Sequence, residues 1–250
     1  MNIAGYLQTS LIEWPGKVAA VIFTAGCNFR CPFCHNADLV DPKKVKKLKL
    51  IDGKDILADL KKRKKWIDGV VITGGEPTMQ KDLPGFCRKI KKLGFKIKIE
   101  TNGSNPEMVK KFIKRKLVDE WNVDFKVPWR QYKKLDIRNK IESGSNKLNV
   151  VEKIKKSILM ILKSKSPLTI KTTIVPGIHD REVLLKMTEE IERLLTSHCS
   201  LLTAHWFFQN FQPKNTLNSK FMKIKPFSEK EFEDLVSKTR KRCRIIKIQN

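Results

Sequence analysis

The stretch "VAAVIFTAGCNFRCPFCHN", residues 18–36, runs an apolar segment of strand length, 18–24, into a loop with cysteines at 27, 31 and 34. Chemistry placed at the C-terminal end of a strand is the habit of βα folds, whose post-strand loops form the working face. The spacing C-x3-C-x2-C lets thiolates on one curled loop converge on a metal centre, for which four-cysteine ligation is the usual complement. The fourth ligand is missing. A structural zinc site would normally add a second C-x2-C or a histidine pair at knuckle spacing, and neither follows; His35 stands too close to Cys34 to point with it easily. An incomplete set leaves one metal position open, as catalytic metal sites do.

Working outward, apolar runs at 70–73, 95–100, 122–126, 168–175 and 202–208 read as further strands, and 52–66, 83–93, 106–116, 148–163 and 180–196 as helices between them. Six strands joined by five crossovers predict an α/β fold, an open or partial βα barrel. Local signals support the boundaries. Asp82 and Asn105 precede prolines as N-caps, Gly94 sits where a C′ glycine belongs, and Ser228 opens a last helix, 228–240, with the pattern S-x-x-E. The chain shows no internal repeat or linker, so one domain is expected over 1–250, with its core at about 17–212 and a C-terminal helix and tail at 213–250. The irregular stretch 127–147 is a candidate loop over the site. Unusual motifs fall after strand upon strand: "TGGEPT" (73–78), "ETNGS" (100–104), "DFKVP" (124–128) and "VPGIHD" (175–180).

The chain of 250 residues can bury a core of ordinary size. It shows no basic-then-apolar leader and no apolar run approaching the ~20 residues of a membrane helix, so a cytoplasmic protein is expected. Net charge is +26, and 41 of the 52 basic residues are lysine, in runs at 43–49, 61–65 and 110–116. Nucleic-acid readers concentrate arginine with interleaved aromatics, so solvated helix faces are the better reading, with an acidic protein partner as a further use of the charge. Cys87, Cys199 and Cys243 are scattered and read as packing residues. His179, His198 and His205 lack ligand spacing and read as structural or exposed. Trp14, Trp66, Trp121 and Trp206 read as core or rim, and Trp129 as a residue that could touch a partner.

The pattern Cys27, Cys31, Phe33 and Cys34 resembles the signature of the radical S-adenosylmethionine superfamily, and "GGEP" at 74–77 is similar to its methionine-binding motif. "TSLIEWPGK" (9–17) ahead of the cysteine loop, with "ETNG", "DFK" and "TTIVPG" downstream, resembles the activating enzymes of glycyl-radical enzymes, among them the group serving anaerobic ribonucleoside-triphosphate reductase. The resemblance covers residues 5 to about 213.

It implies a partial (β/α)6 barrel of the radical SAM type. Cys27, Cys31 and Cys34 would hold three irons of one 4Fe-4S cluster, and the amino and carboxylate groups of S-adenosylmethionine would chelate the fourth. Cleavage would give a 5′-deoxyadenosyl radical that takes hydrogen from a glycine Cα of the partner, with a flavodoxin- or ferredoxin-like electron donor. Positions 35–73 hold no further cysteine, so a single cluster is expected.

At the cofactor, Gly74 and Gly75 would allow close backbone approach, Glu76 beside Pro77 would accept from the methionine ammonium, and Phe33 would face adenine. Thr101 and Asn102 offer polar groups after the third strand. Asp124 and Lys126 alternate on one face of the fourth strand with Phe125 on the other, and by likeness bear on the ribose and on closure. Lys171 either pairs with the methionine carboxylate or is solvated. Two other readings stand beside this one: a small radical enzyme acting on a peptide or nucleobase precursor, and a lysine-rich RNA-binding protein with a structural metal knuckle.

Overall fold

Alternation at period two sets the layers. In "KIKIET", Ile97 and Ile99 are fully buried in the main core, while Lys98 and Glu100 line a cavity on the opposite face. The computed structural model describes residues 1–135, 149–196, 204–243 and 247–249. Strand β1 (Ile3–Ser10) pairs antiparallel with β2 (Ala19–Thr24). Strands β3 (Gly69–Gly74), β4 (Lys96–Thr101), β5 (Glu120–Asp124), β6 (Leu168–Ile174), β7 (Ala204–Asn210) and β8 (Lys247–Gln249) then follow β2 in sequence order, all parallel. The sheet is open, with β1 and β8 at its edges.

Two short helices, α1 (Ala37–Val40) and α2 (Pro42–Val45), follow the cysteine loop. The crossovers use α3 (Gly53–Lys62), α4 (Leu83–Lys92), α5 (Pro106–Lys114), α6 (Val150–Lys163) and α7 (Arg181–Thr196), and α8 (Glu229–Arg242) precedes β8. Sequential neighbours joined by right-handed crossovers place these helices on one face. The other face is the lumen of a partial barrel. Its floor beneath β2 and β3 is plugged by Trp14, which packs on Ala19, Val21 and Val71 and donates from Nε1 to Glu120 Oε2 at 2.7 Å.

The expected six strands and five crossovers are present, with β1 and β8 added at the edges. The fourth strand is Glu120–Asp124, two residues earlier than 122–126, so Lys126 lies beyond its end. Asn105 and the Ser228–Glu231 capping box work as read. Asp82 precedes α4 without capping it, because its carboxylate pairs with the Met1 ammonium. Helix α3 stops at Lys62, so Trp66, expected in core or rim, is 75% exposed. The lysine runs at 43–49, 61–65 and 110–116 present their lysines to solvent. No helix among the described residues is long and apolar enough to cross a membrane. Cys199, His198 and most of the candidate loop 127–147 lie outside the described residues.

Strand β3 leaves the sheet through Gly74 and Gly75. A Cβ at Gly75 would stand 2.1 Å from Gly26 O, and one at Gly74, where φ is +117°, 2.4 Å from Thr24 N and O. Gly85, in the first turn of α4, meets nothing within 4 Å. Gly75→Ala is expected to lower stability by roughly 1–3 kcal/mol. Gly85→Ala should raise it by about 0.5–1 kcal/mol, and urea denaturation of the two variants measures both.

Candidate functional site

The cysteine loop is pinned at both ends. At its start, Gly75 N–H donates to Thr24 O and Glu76 N–H to Gly26 O, each at 2.8 Å, while Gly26 N–H donates to Leu39 O at 2.7 Å. At its far end, Leu217 N–H donates to Cys34 O and Asn218 N–H to Pro32 O, each at 3.0 Å. Inside the loop, Phe29 N–H points at Cys27 Sγ at 3.3 Å, and Asn28 accepts from Asn102 Nδ2 at 2.9 Å.

The three thiols line one cavity together with Phe33, Gly74, Gly75, Thr101, Asn102, Asp124, Lys126 and Lys171. Eleven of the thirteen residues singled out in the sequence therefore meet there, drawn from the loops and ends of β2, β3, β4, β5 and β6. Glu76 and Pro77 stand behind the wall. Glu76 is 1% exposed, and its carboxylate accepts from Thr78 N, Thr78 Oγ1, Thr101 Oγ1 and Asn102 N. Burial pushes that carboxyl above its usual range against the pull of these donors. It braces Thr101 and Asn102. The glycines before it are required by the neighbouring backbone, a constraint the sequence reading assigned to a ligand.

Burial pushes the thiols of Cys27 and Cys31 up to about 12 and raises that of Cys34. Three thiolates this sheltered, Cys31 buried and Cys27 and Cys34 partly so, become favourable only with positive charge among them, which is what iron supplies. Among the described residues no three His, Cys, Asp or Glu side chains close on a single ion. Three thiols lining one cavity can serve as the donor set of a multi-iron cluster, in which each iron needs one thiolate. The residues fit the group.

In the same cavity burial would lower Lys126, but Asp124, in a 2.8 Å ion pair with it, and the nearby Cys31 and Cys34 together outweigh that and hold the ammonium charged. Lys171 faces the cavity 3.9 Å from Glu100 Oε2, so it is partnered within the site. Trp129 stacks between Phe125 and Tyr132, at 4.3 and 5.6 Å between ring centroids, and is part of the packing.

Sequence reasoning missed the support of Lys126. Tyr132 Oη accepts from Lys126 N–H at 3.0 Å. His179, 1% exposed, accepts from Val175 N–H on Nδ1 at 3.0 Å, so its proton sits on Nε2, which donates to Lys126 O at 2.8 Å. The only sequence signal was a histidine in a post-strand loop. Sequence reasoning also missed the strap around Leu217 and Asn218; Phe221, which follows them, brings its ring centroid to 6.3 Å from that of Phe33.

A family model described as the Radical SAM superfamily matches residues 21–187. The chain is 32% identical over 234 residues to a Methanocaldococcus jannaschii protein named as a glycyl-radical enzyme activating enzyme, covering 93% of this chain and 89% of that one. It is 24% identical over 229 residues to a protein of Pyrococcus horikoshii named as a GTP 3′,8-cyclase, covering 89% of this chain and 66% of that one. Among solved structures, TYW1 with a lysine-pyruvate adduct bound matches with a TM-score of 0.57 at 17% identity, over 89% of this chain and 73% of that one, a likeness of fold.

Burial pushes His179 down to about 4, whereas an unfolded histidine titrates near 6.5. Between those values the unfolded chain binds the extra proton, so His179 should erode native stability as pH falls from about 6.5 toward 4, by up to about 3 kcal/mol. Urea midpoints at pH 7.5 and 5.0 test this, and His179→Gln should show a smaller fall between them.

Proposed function

The chain belongs to the radical SAM superfamily and is a radical SAM enzyme working with a 4Fe-4S cluster and S-adenosylmethionine, and from that premise we propose that it installs a glycyl radical on a partner enzyme. The observation that carries this reading is its likeness, over 93% of its length, to a relative named for that activity. When bound, the cluster and S-adenosylmethionine supply reductive cleavage and hydrogen-atom abstraction.

The chain's own residues hold and aim that chemistry. Cys27, Cys31 and Cys34 would hold the cluster, and Phe33, which lines the same cavity, would offer its ring to the adenosyl group. Asn102, fixed by Glu76 through its backbone N–H and by Asn28 through its side chain, presents a rigid polar edge. Thr101 is spent on Glu76, and Gly74, Gly75, Glu76 and Pro77 act by fixing the wall. Asp124 and Lys126 form one charged pair in the same cavity that can bind a hydroxyl or a carboxylate of the cofactor. Lys171, close to Glu100, stands where the cofactor cavity opens into the lumen.

Anaerobic ribonucleoside-triphosphate reductase is the proposed partner, supported by the leader 9–17 and by "CHN" after the third cysteine. A net charge of +26 supports an acidic flavodoxin- or ferredoxin-like donor docking from a cytoplasmic pool. The likeness to a GTP 3′,8-cyclase supports a second reading, action on a purine nucleotide.

Anaerobic reconstitution should load about four irons per chain. It should also give 5′-deoxyadenosine from S-adenosylmethionine and a glycyl-radical resonance on mixing with the purified reductase. A resonance on a different glycyl-radical enzyme alone would replace the partner; none on any would sink the activase reading. Cys31→Ala should lose the iron and Cys87→Ala, fully buried on α4, should keep it; equal loss in both would overturn the ligand assignment.

A further inference from the structure

We propose that Asn122 recognises the substrate by accepting a main-chain N–H from a polypeptide segment entering the lumen, an inference that rests on the activase reading. The lumen cavity, of about 810 Å³, adjoins the cysteine cavity and shares His35, Asn36, Thr73, Glu100, Lys171 and Gln209 with it. That volume falls within the range of binding clefts for small ligands and short peptide segments.

Asn122 sits on the lumen face of β5 and lines the cavity, yet is only 6% exposed. Its Nδ2 donates to Glu100 Oε1 at 2.8 Å, and Glu100 Oε2 in turn accepts from Thr73 Oγ1 at 3.0 Å. Reversing the amide would set its oxygen against the Glu100 carboxylate, so the orientation is fixed. The consequence is that Asn122 Oδ1 has no hydrogen-bond donor among the described residues. Buried acceptors are rarely left unmet, and one held in place at a cavity wall by a charged partner is a site for a donor that arrives with a ligand.

The charges around it say which donor. Lys98 Nζ donates to Glu13 O at 2.9 Å and lies 3.5 Å from Glu120, while Lys171 lies 3.9 Å from Glu100. Both lumen lysines already face carboxylates. A phosphate would meet Glu13, Glu100 and Glu120 on the walls with no arginine to receive it. A neutral N–H meets no such opposition. In a glycyl substrate that N–H is one bond from the Cα whose hydrogen is removed, so a bond to Asn122 would orient the reacting carbon as well as bind the segment.

The test uses the anaerobically reconstituted protein with S-adenosylmethionine and the peptide acetyl-Ser-Ala-Gly-Ala-Ser-amide, deuterated at the glycine Cα. A set of analogues replaces each backbone N–H in turn by an ester oxygen. Calorimetry on the unaltered chain should show binding about tenfold weaker at one position only, and Asn122→Leu should bind the parent peptide as weakly as that ester and lose the discrimination. Equal binding of all the esters, or discrimination kept in Asn122→Leu, would overturn the role of Asn122, as would saturable binding of guanosine triphosphate that Asn122→Leu abolishes. Deuterium transfer into 5′-deoxyadenosine reads the activase proposal separately: discrimination without transfer would leave Asn122 as an N–H acceptor and remove the glycyl reading.

Discussion

The exit of β3 passes so close to the backbone of Gly26 that no side chain fits at Gly75, and the cavity is organised around that approach. The 2.1 Å that a Cβ at Gly75 would leave to Gly26 O excludes every other residue without a shift of backbone. The closeness lets Gly75 and Glu76 donate to Thr24 and Gly26. Once those bonds form, the Glu76 side chain is turned away from the cavity, where Thr78, Thr101 and Asn102 satisfy it. Asn102 then reaches Asn28 on the cysteine loop. The loops after β2, β3 and β4 are thus one closed circuit of bonds, and the start of the cysteine loop cannot move without breaking several of them.

The wall around Lys126 has its own circuit. His179 joins the loop after β6 to the carbonyl of Lys126, Tyr132 holds the amide of the same residue, and Thr172 Oγ1 on β6 donates to Phe125 O. Both peptide groups of Lys126 are therefore occupied before its ammonium meets Asp124. Strap residues Leu217 and Asn218 close the far end of the cysteine loop. The ties made by Gly75, Glu76, Leu217 and Asn218 run from backbone to backbone, and no side-chain rotamer change releases them. Preorganisation of this kind is what a site needs when its donors must converge on a cofactor to within about half an ångström.

What could be read in the sequence followed from local period and topology. "KIKIET" announces β4 by strict alternation, and a chain of βα units forces the loops after its strands to one end, so cysteines and GGEP on successive strands had to become neighbours. Strand β1 escaped because "IAGYLQTS" is an edge with polar residues on its open side, and β8 because three residues make no pattern. The end of the fourth strand was misplaced by two residues because Phe125 is as apolar as the strand it follows; its N–H still donates to Lys171 O on β6, and its ring is buried against Trp129 and Trp206. The direction of the Glu76 carboxylate was not legible, since GGEP has the same letters whether the acid faces a ligand or its own chain. Nor could Leu217 be matched with Cys34, because a backbone bond across that separation leaves no trace in residue type.

Charge separates the outside of this protein from its lumen. The exposed lysine runs after the cysteine loop and around α3 and α5 produce a field that acts over about 8–10 Å at ordinary salt. Lys98 and Lys171 contribute little to it, being set against Glu120 and Glu100. A partner could be drawn in by its own acidic surface and still present an uncharged segment to the lumen, because the two contacts are governed by different groups. Salt would then weaken the approach while leaving the hydrogen bond at Asn122 nearly untouched, a division that a lumen lined with unpaired lysines would not permit.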